Sequence, residues 1–231
     1  MANIAVLSAL LLQLAGPPVV QSTPMKSAVT PADGAGSVVA YVRRGGAVAL
    51  RTQPGGHSVG VLGTRTVYGS PLALPIVRTS GDRWLGVVSG AMPNGRLGWI
   101  DARSGALAYG RVRVAIEADL SQRVLRVRRG GRVVRRIAIG IGRAGSTTPS
   151  GRFSITDKLR GRDYGSYYGC CILALSGHQP HTPRGWTGGA RLAIHGGASG
   201  AVSAGCLHAS TGDLRYLMRV VPLGTQVVIH P

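Results

Sequence analysis

The amino-acid sequence predicts a mainly β protein built from two successive runs of short strands, with one helix in the C-terminal half. Three observations lead there. The 36 glycines and 13 prolines, against 5% aromatic residues, describe many tight turns and little long-helix packing. From Val38 onward short apolar pieces alternate with turn signals, and Val112, Val114 and Ile116 alternate with polar residues. Helical spacing emerges in one place, where Leu214, Leu217, Met218 and Val221 recur behind Ser210, with Asp213 three residues later in the pattern of a helix-capping box.

Ahead of these strands, IAVLSALLLQLA (4–15) is too short to span a bilayer comfortably and has the length of the apolar region of a secretory signal. The Ser-, Thr-, Pro- and Gly-rich QSTPMKSAVTPADGAGS that follows reads as a linker, so residues 1–37 are assigned to an export or anchor segment plus linker. An exported, extracytoplasmic protein is expected.

From 38 to 105, YVRRGGAVALRT, SVGVLGT, SPLALPIV, GDRWLGVVSG and RLGWIDA are separated by turn signals, the pattern of a small β-barrel. GDRWLGVV followed after a turn by GRLGWID resembles bacterial SH3-like domains, which would place Trp84 and Trp99 on one hairpin as core anchors or as ligand contacts. A joint is expected between Arg103 and Gly110, with the second domain covering 111–231. That domain opens on a meander, RVRVAIEADLSQRVLRVRRGGRVVRRIAIGIG, turning at Gly130 and Gly131. FSIT (153–156), CILAL (171–175), RLAIHG (191–196) and QVVIH (226–230) supply further strands.

The net charge of +19 comes from 27 basic and 8 acidic residues, and all but Lys26 and Lys158 of the basic ones are Arg. Such a chain is drawn to polyanions. The arginines are scattered along strands and no helix-turn-helix, zinc-finger or aromatic-basic RNA-binding pattern occurs, so acidic cell-wall polymers are the expected partner and nucleic acid is not. Three cysteines leave one thiol unpaired, and the adjacent Cys170 and Cys171 are expected to be two small unbonded residues opening a buried strand.

The stretch LAIHGGASGAVSAGCLHAS (192–210) carries the chemistry. A strand delivers His195, a glycine-rich loop of ten residues follows, and SAGC presents Cys206. An imidazole beside a thiol can take its proton and create the nucleophile. Gly205 lets the backbone turn so that the Gly205 and Cys206 amides can face a developing oxyanion. A zinc site is disfavoured, because Cys206-x-His208 with distant histidines lacks a structural-zinc spacing. No metal or cofactor is expected.

The His-Gly pair on a strand ahead of a Ser-x-Gly-Cys-aliphatic block resembles the L,D-transpeptidase family with the YkuD-type catalytic domain. The meander, TTPSGRFSIT (147–156) and the approach from CILALSGHQP to RLAIHG extend that resemblance over about half the chain. It implies a β-sandwich catalytic domain acting on peptidoglycan stem peptides, with Cys206 as nucleophile, His195 as base and the Gly196 carbonyl orienting the imidazole. It also implies carbapenem-type β-lactams as covalent inhibitors. The loop from His195 to Cys206 is shorter than is usual in the family, Ala204 stands where His is common, and His208 stands where Arg or Asn is common. Ser203, His208 and His178 are therefore the candidate substrate contacts, with His181 beside them. A monomer is expected. A carboxypeptidase using water as acceptor and a non-catalytic wall-binding protein are the alternatives; sortases and papain-like peptidases place Cys and His in other sequence contexts.

Overall fold

The structure is a computed structural model that describes residues 36–186 and 189–231; the expected export segment lies outside the described residues apart from its final two positions. Among the described residues seventeen strands form two sheets, with a single α-helix. Among the described residues no helix is long and apolar enough to cross a membrane.

The first sheet has seven strands: β1 (Ser37–Val42), β2 (Val48–Arg51), β3 (Ser58–Leu62), β4 (Ala73–Ser80), β5 (Trp84–Val87), β6 (Gly98–Asp101) and β7 (Leu107–Val112). Their order is β3-β2-β6-β5-β4-β1-β7. Alternation along β2, buried at Val48 and Leu50, turns one face toward a small core of Leu50, Leu74, Val87 and Ile100. Trp99 is buried, whereas Trp84 lies against two guanidinium groups, Arg83 at 4.9 Å and Arg51 at 5.7 Å from its ring centre. β7 runs through the stretch where a joint was expected and pairs along its whole length with β1, so Arg113 alone separates the two sheets.

The second sheet contains β8 (Val114–Asp119), β9 (Val124–Arg129), β10 (Arg132–Ala138), β11 (Gly140–Gly142), β12 (Gly151–Arg160), β13 (Cys171–His178), β14 (Arg191–His195), β15 (Gly200–Ser203), β16 (Leu207–His208) and β17 (Gln226–His230). The meander β8-β9-β10 turns at Gly130 and Gly131, both at positive φ. β17 lies between β8, to which it is parallel, and β12, to which it is antiparallel. The helix α1 (Thr211–Val220) begins where the Ser210 hydroxyl accepts a hydrogen bond from the Asp213 amide, and Leu214 and Leu217 bury its inner face. The β-sandwich architecture and the one helix agree with the fold class read from the sequence.

Two features depart from the sequence reading. Val39, Ala73 and Val112 of the first sheet pack in the same core as Ile116, Phe153, Leu173 and Leu217 of the second. Gln226 donates to the Ser37 hydroxyl at 2.8 Å, and Asn94 exchanges two hydrogen bonds with the His178 backbone. The two sheets thus share apolar packing as well as a polar seam. In addition, Cys170 and Cys171 are joined by a disulfide. Cys170 sits in the turn ahead of β13 after Gly169, which has φ 66°, so strand alternation does not force the two side chains to opposite faces.

Candidate active site

One face of β12-β13-β14 packs into the core through Ile155, Leu175, Leu192 and Ile194. Side chains alternate along a strand, so Arg191, Ala193 and His195 occupy the opposite face. His195 ends β14 and lies opposite Ile172 on β13 and His208 on β16. The chain then leaves the sheet, returns through β15, and turns at Ser203–Cys206 into β16. Gly205, at φ 116°, makes that turn possible, and a Cβ there would strike the Gln179 amide. The result is a narrow pocket holding both His195 and Cys206, walled by Tyr167, Tyr168, Trp186 and Arg191.

His195 is 1% exposed, and its Nδ1–H donates to the Gly196 carbonyl at 2.6 Å. That contact leaves Nε2 unprotonated and free to accept. Gly196 is itself fixed, because its amide donates to the Tyr168 carbonyl at 3.0 Å. Burial, then the neighbouring His208 ring at 4.7 Å, lower the His195 pKa to about 4, against the opposing pull of the Gly196 carbonyl. The imidazole is therefore neutral at physiological pH. Cys206 is the free cysteine, half-buried as a residue, but its thiol is enclosed by protein. Burial pushes the thiol up to about 11, only partly offset by a hydrogen bond from the Ala193 backbone. The resting pair is therefore neutral thiol and neutral imidazole.

The other residues singled out in the sequence occupy different places. Ser203 is buried beneath the turn; its hydroxyl donates to the Cys206 carbonyl at 2.6 Å and accepts from the Gly205 amide at 3.0 Å. Ser203 is thus a brace of the Ser203–Cys206 turn and not a wall of the pocket, and the Gly205 amide is engaged rather than free for an oxyanion. His208 is buried behind His195, its Nδ1 facing the Ala198 carbonyl at 3.0 Å, and does not line the pocket. His178 is also off the pocket, with its backbone bonded to Asn94. His181 is exposed, its amide donating to Gln179.

Gln179, Tyr167, Tyr168 and Arg191 were not anticipated. Gln179 Nε2 contacts the carbonyls of Ser146, Thr147 and Ala204 at 3.2, 3.0 and 3.1 Å, tying the loop after β11 to the turn before Cys206. The Tyr168 ring stands edge-on to His195 at 4.9 Å and Tyr167 lies at 5.4 Å. The one sequence signal for them was the aromatic pair in GSYYGCC, exposed-looking residues just before a buried strand. Among the described residues no three His, Cys, Asp or Glu side chains gather as metal ligands.

Among solved structures, L,D-transpeptidase 1 of Mycobacterium tuberculosis is 19% identical, the match covering 58% of this chain and 77% of that one, with a TM-score of 0.38. An L,D-transpeptidase of Enterococcus faecium is 20% identical over 52% of this chain and 50% of its own, TM-score 0.39. One from Xylanimonas cellulosilytica is 25% identical over 51% and 60%, TM-score 0.36. This chain therefore spans only half to three-fifths of the latter two. Comparison with curated protein sequences gives no match. The family model described as the L,D-transpeptidase catalytic domain, YkuD, matches residues 113–229, which run from β8 into β17 and include the whole His195–Cys206 pocket. By that match over half its length, the chain belongs to the YkuD family of L,D-transpeptidase catalytic domains.

Proposed function

We propose that this protein is a peptidoglycan L,D-transpeptidase in which Cys206 is the nucleophile and His195 the base. The observation that carries the reading is the pairing, in one pocket, of the free thiol with an imidazole whose Nδ1 is held by the Gly196 carbonyl. Nε2 takes the Cys206 proton as the sulfur attacks the carbonyl of the diamino acid at the third position of a tetrapeptide stem. Proton movement during attack, rather than a standing thiolate, fits a thiol near 11 beside an imidazole near 4. The terminal D-alanine leaves with the proton returned by His195, and a thioester remains on Cys206. An amine of a neighbouring stem then displaces the sulfur and forms the crosslink; water in its place would make the enzyme a carboxypeptidase.

The 4–15 apolar run supports an extracytoplasmic location, and the charge of +19 supports attraction to acidic wall polymers. The seven-stranded N-terminal sheet, in our reading an SH3-like module, would help hold the enzyme on the wall. A strained β-lactam amide set against the same thiol imitates the first step, so carbapenems should acylate Cys206. Intact-mass measurement after incubation with a carbapenem tests the nucleophile: one drug-sized increment is expected, absent in Cys206→Ala. An increment that persists in Cys206→Ala would remove Cys206 from the mechanism. Purified tetrapeptide stems test the substrate: transfer with loss of D-alanine is expected, and a protein that forms the drug adduct but never processes stems would refute the peptidoglycan reading.

A further inference from the structure

A second cavity, of about 290 Å³, lies where the first sheet meets β12-β13-β14 and is larger than the pocket around Cys206. Leu62, Leu72 and Ser89 wall it from the N-terminal side; Thr156, Asp157 and Arg191 wall it from the catalytic side. Its volume is just under the range of small-molecule sites, roughly 300 to 1,000 Å³, and suits a small ligand.

Asp157 reaches this cavity because the strand is irregular. The register between β12 and β13 shifts between Ile155 and Asp157, so that Ile155 faces Leu175 but Asp157 faces Ala174. Such a bulge re-aims the residues after it, here turning a carboxylate away from the core and toward the N-terminal sheet. Asp157 is 1% exposed. The Thr66 hydroxyl donates to Oδ1, and among the described residues no cation lies within ion-pair distance of either oxygen. Burying a carboxylate away from water without a cation is costly, and a cation supplied from outside would relieve that cost.

Arg191 provides the opposite charge. It too makes no ion pair among the described residues, and its guanidinium reaches only the Leu175 carbonyl, at 3.4 Å. Gly90 makes room for it: a Cβ there would come within 2.0 Å of the guanidinium nitrogen. One small cavity therefore presents a carboxyl group and a guanidinium, neither in an ion pair among the described residues, with aliphatic side chains beside them.

We propose that this cleft binds the zwitterionic end of an amino acid, a carbon bearing both ammonium and carboxylate, with the ammonium on Asp157 and the carboxylate on Arg191. A bidentate carboxylate suits the guanidinium fork, and the ammonium meets the remaining Asp157 oxygen. Arg191 also lines the Cys206 pocket, and Asp157 stands two strands from Ala193, about 10 Å away by interstrand spacing. The site is thus a neighbour of the acyl site, connected to it by one side chain. A free amino acid and the side-chain end of a diamino acid within a wall peptide share this chemistry. The inference does not depend on acyl transfer, and its test reads binding.

The full chain carrying Cys206→Ala is titrated calorimetrically with D-alanine, with N-acetyl-D-alanine, which lacks the ammonium, and with D-alaninamide, which lacks the carboxylate. One equivalent of D-alanine should bind, and each blocked analogue should bind at least tenfold more weakly. Asp157→Asn should weaken D-alanine at least tenfold, and Gly90→Val, which displaces the guanidinium from the opposite side without touching Asp157, should do the same if Asp157→Asn does not fold. Diaminopimelate acylated on one amine keeps one free zwitterionic carbon: tighter binding than D-alanine supports a wall peptide as occupant, and weaker binding supports a free amino acid. The proposal is overturned if D-alanine does not bind at millimolar concentration, if N-acetyl-D-alanine binds equally well, or if Gly90→Val leaves the affinity unchanged.

Discussion

Alkylation of Cys206 by iodoacetamide should be slow at neutral pH and should accelerate steadily as the pH rises. The thiol is pushed up to about 11 from an ordinary 9.0, so the thiolate fraction at pH 7 is about 100-fold smaller than for the unperturbed group. A more basic thiolate is also a better nucleophile, which with a Brønsted slope near 0.4–0.5 returns a factor of roughly 8. The net expectation is a rate about tenfold below that of the same thiol in the protein unfolded in guanidinium, before any steric exclusion. The logarithm of the rate should climb with unit slope through pH 8 and 9 and bend only near 11. Cys170 and Cys171 are bonded to each other, so a single site is read by intact mass. Acylation by a carbapenem should behave differently. The proton passes from Cys206 to His195 within the complex, and neither group changes its resting protonation between about 4 and 11, so that rate should be nearly flat from pH 6 to 9. An alkylation profile that has already levelled off by pH 8 would refute the neutral resting pair and restore a standing thiolate.

Two further outcomes follow from burial and packing. His195 is held near 4 in the folded protein against 6.5 when unperturbed, so the unfolded chain binds the extra proton between those values; stability should be intact above pH 6.5 and fall by up to about 3 kcal/mol as the pH drops to 4, and a denaturation midpoint that does not fall over this range in wild type relative to His195→Ala would contradict it. A chain beginning at Arg113 loses Val39 and Val112 from the shared core, about 3–6 kcal/mol for two valine side chains, and should unfold at markedly lower urea than the full protein; equal midpoints would mean that the catalytic domain closes its core alone.

What the sequence disclosed, and what it withheld, divides by the range of the interactions involved. The helix was readable because both its signals are local, the Ser210 cap and the spacing of Leu214 and Leu217. His195, the glycine loop and Cys206 were readable because a strand end and a tight turn leave their marks within a dozen residues. Gln179 and Arg191 gave no such mark. Gln179 matters through three carbonyls more than twenty residues away, and Arg191 reads in isolation as the first polar residue of a strand. The neutral state of Cys206 was equally hidden, since it depends on enclosure by residues from separate loops. The sheet that β7 joins was hidden for a related reason: the turn residues before Leu107 mark a chain reversal, but which sheet the following strand joins is decided by its pairing with β1, some seventy residues earlier.

The position of β17 has a consequence for assembly. β8, β9 and β10 form by short hairpins, and β12, β13 and β14 carry His195, but only β17 hydrogen-bonds to both groups. Until Gln226–His230 slides between them, the meander and the His195-bearing strands are two separate ribbons, each with an unsatisfied edge. Because this closure joins residues more than a hundred positions apart, it should be slow and come late in folding. The strand acts as a bolt: drawn, the catalytic half stands without its flank, and seated, it makes one continuous sheet behind the thiol.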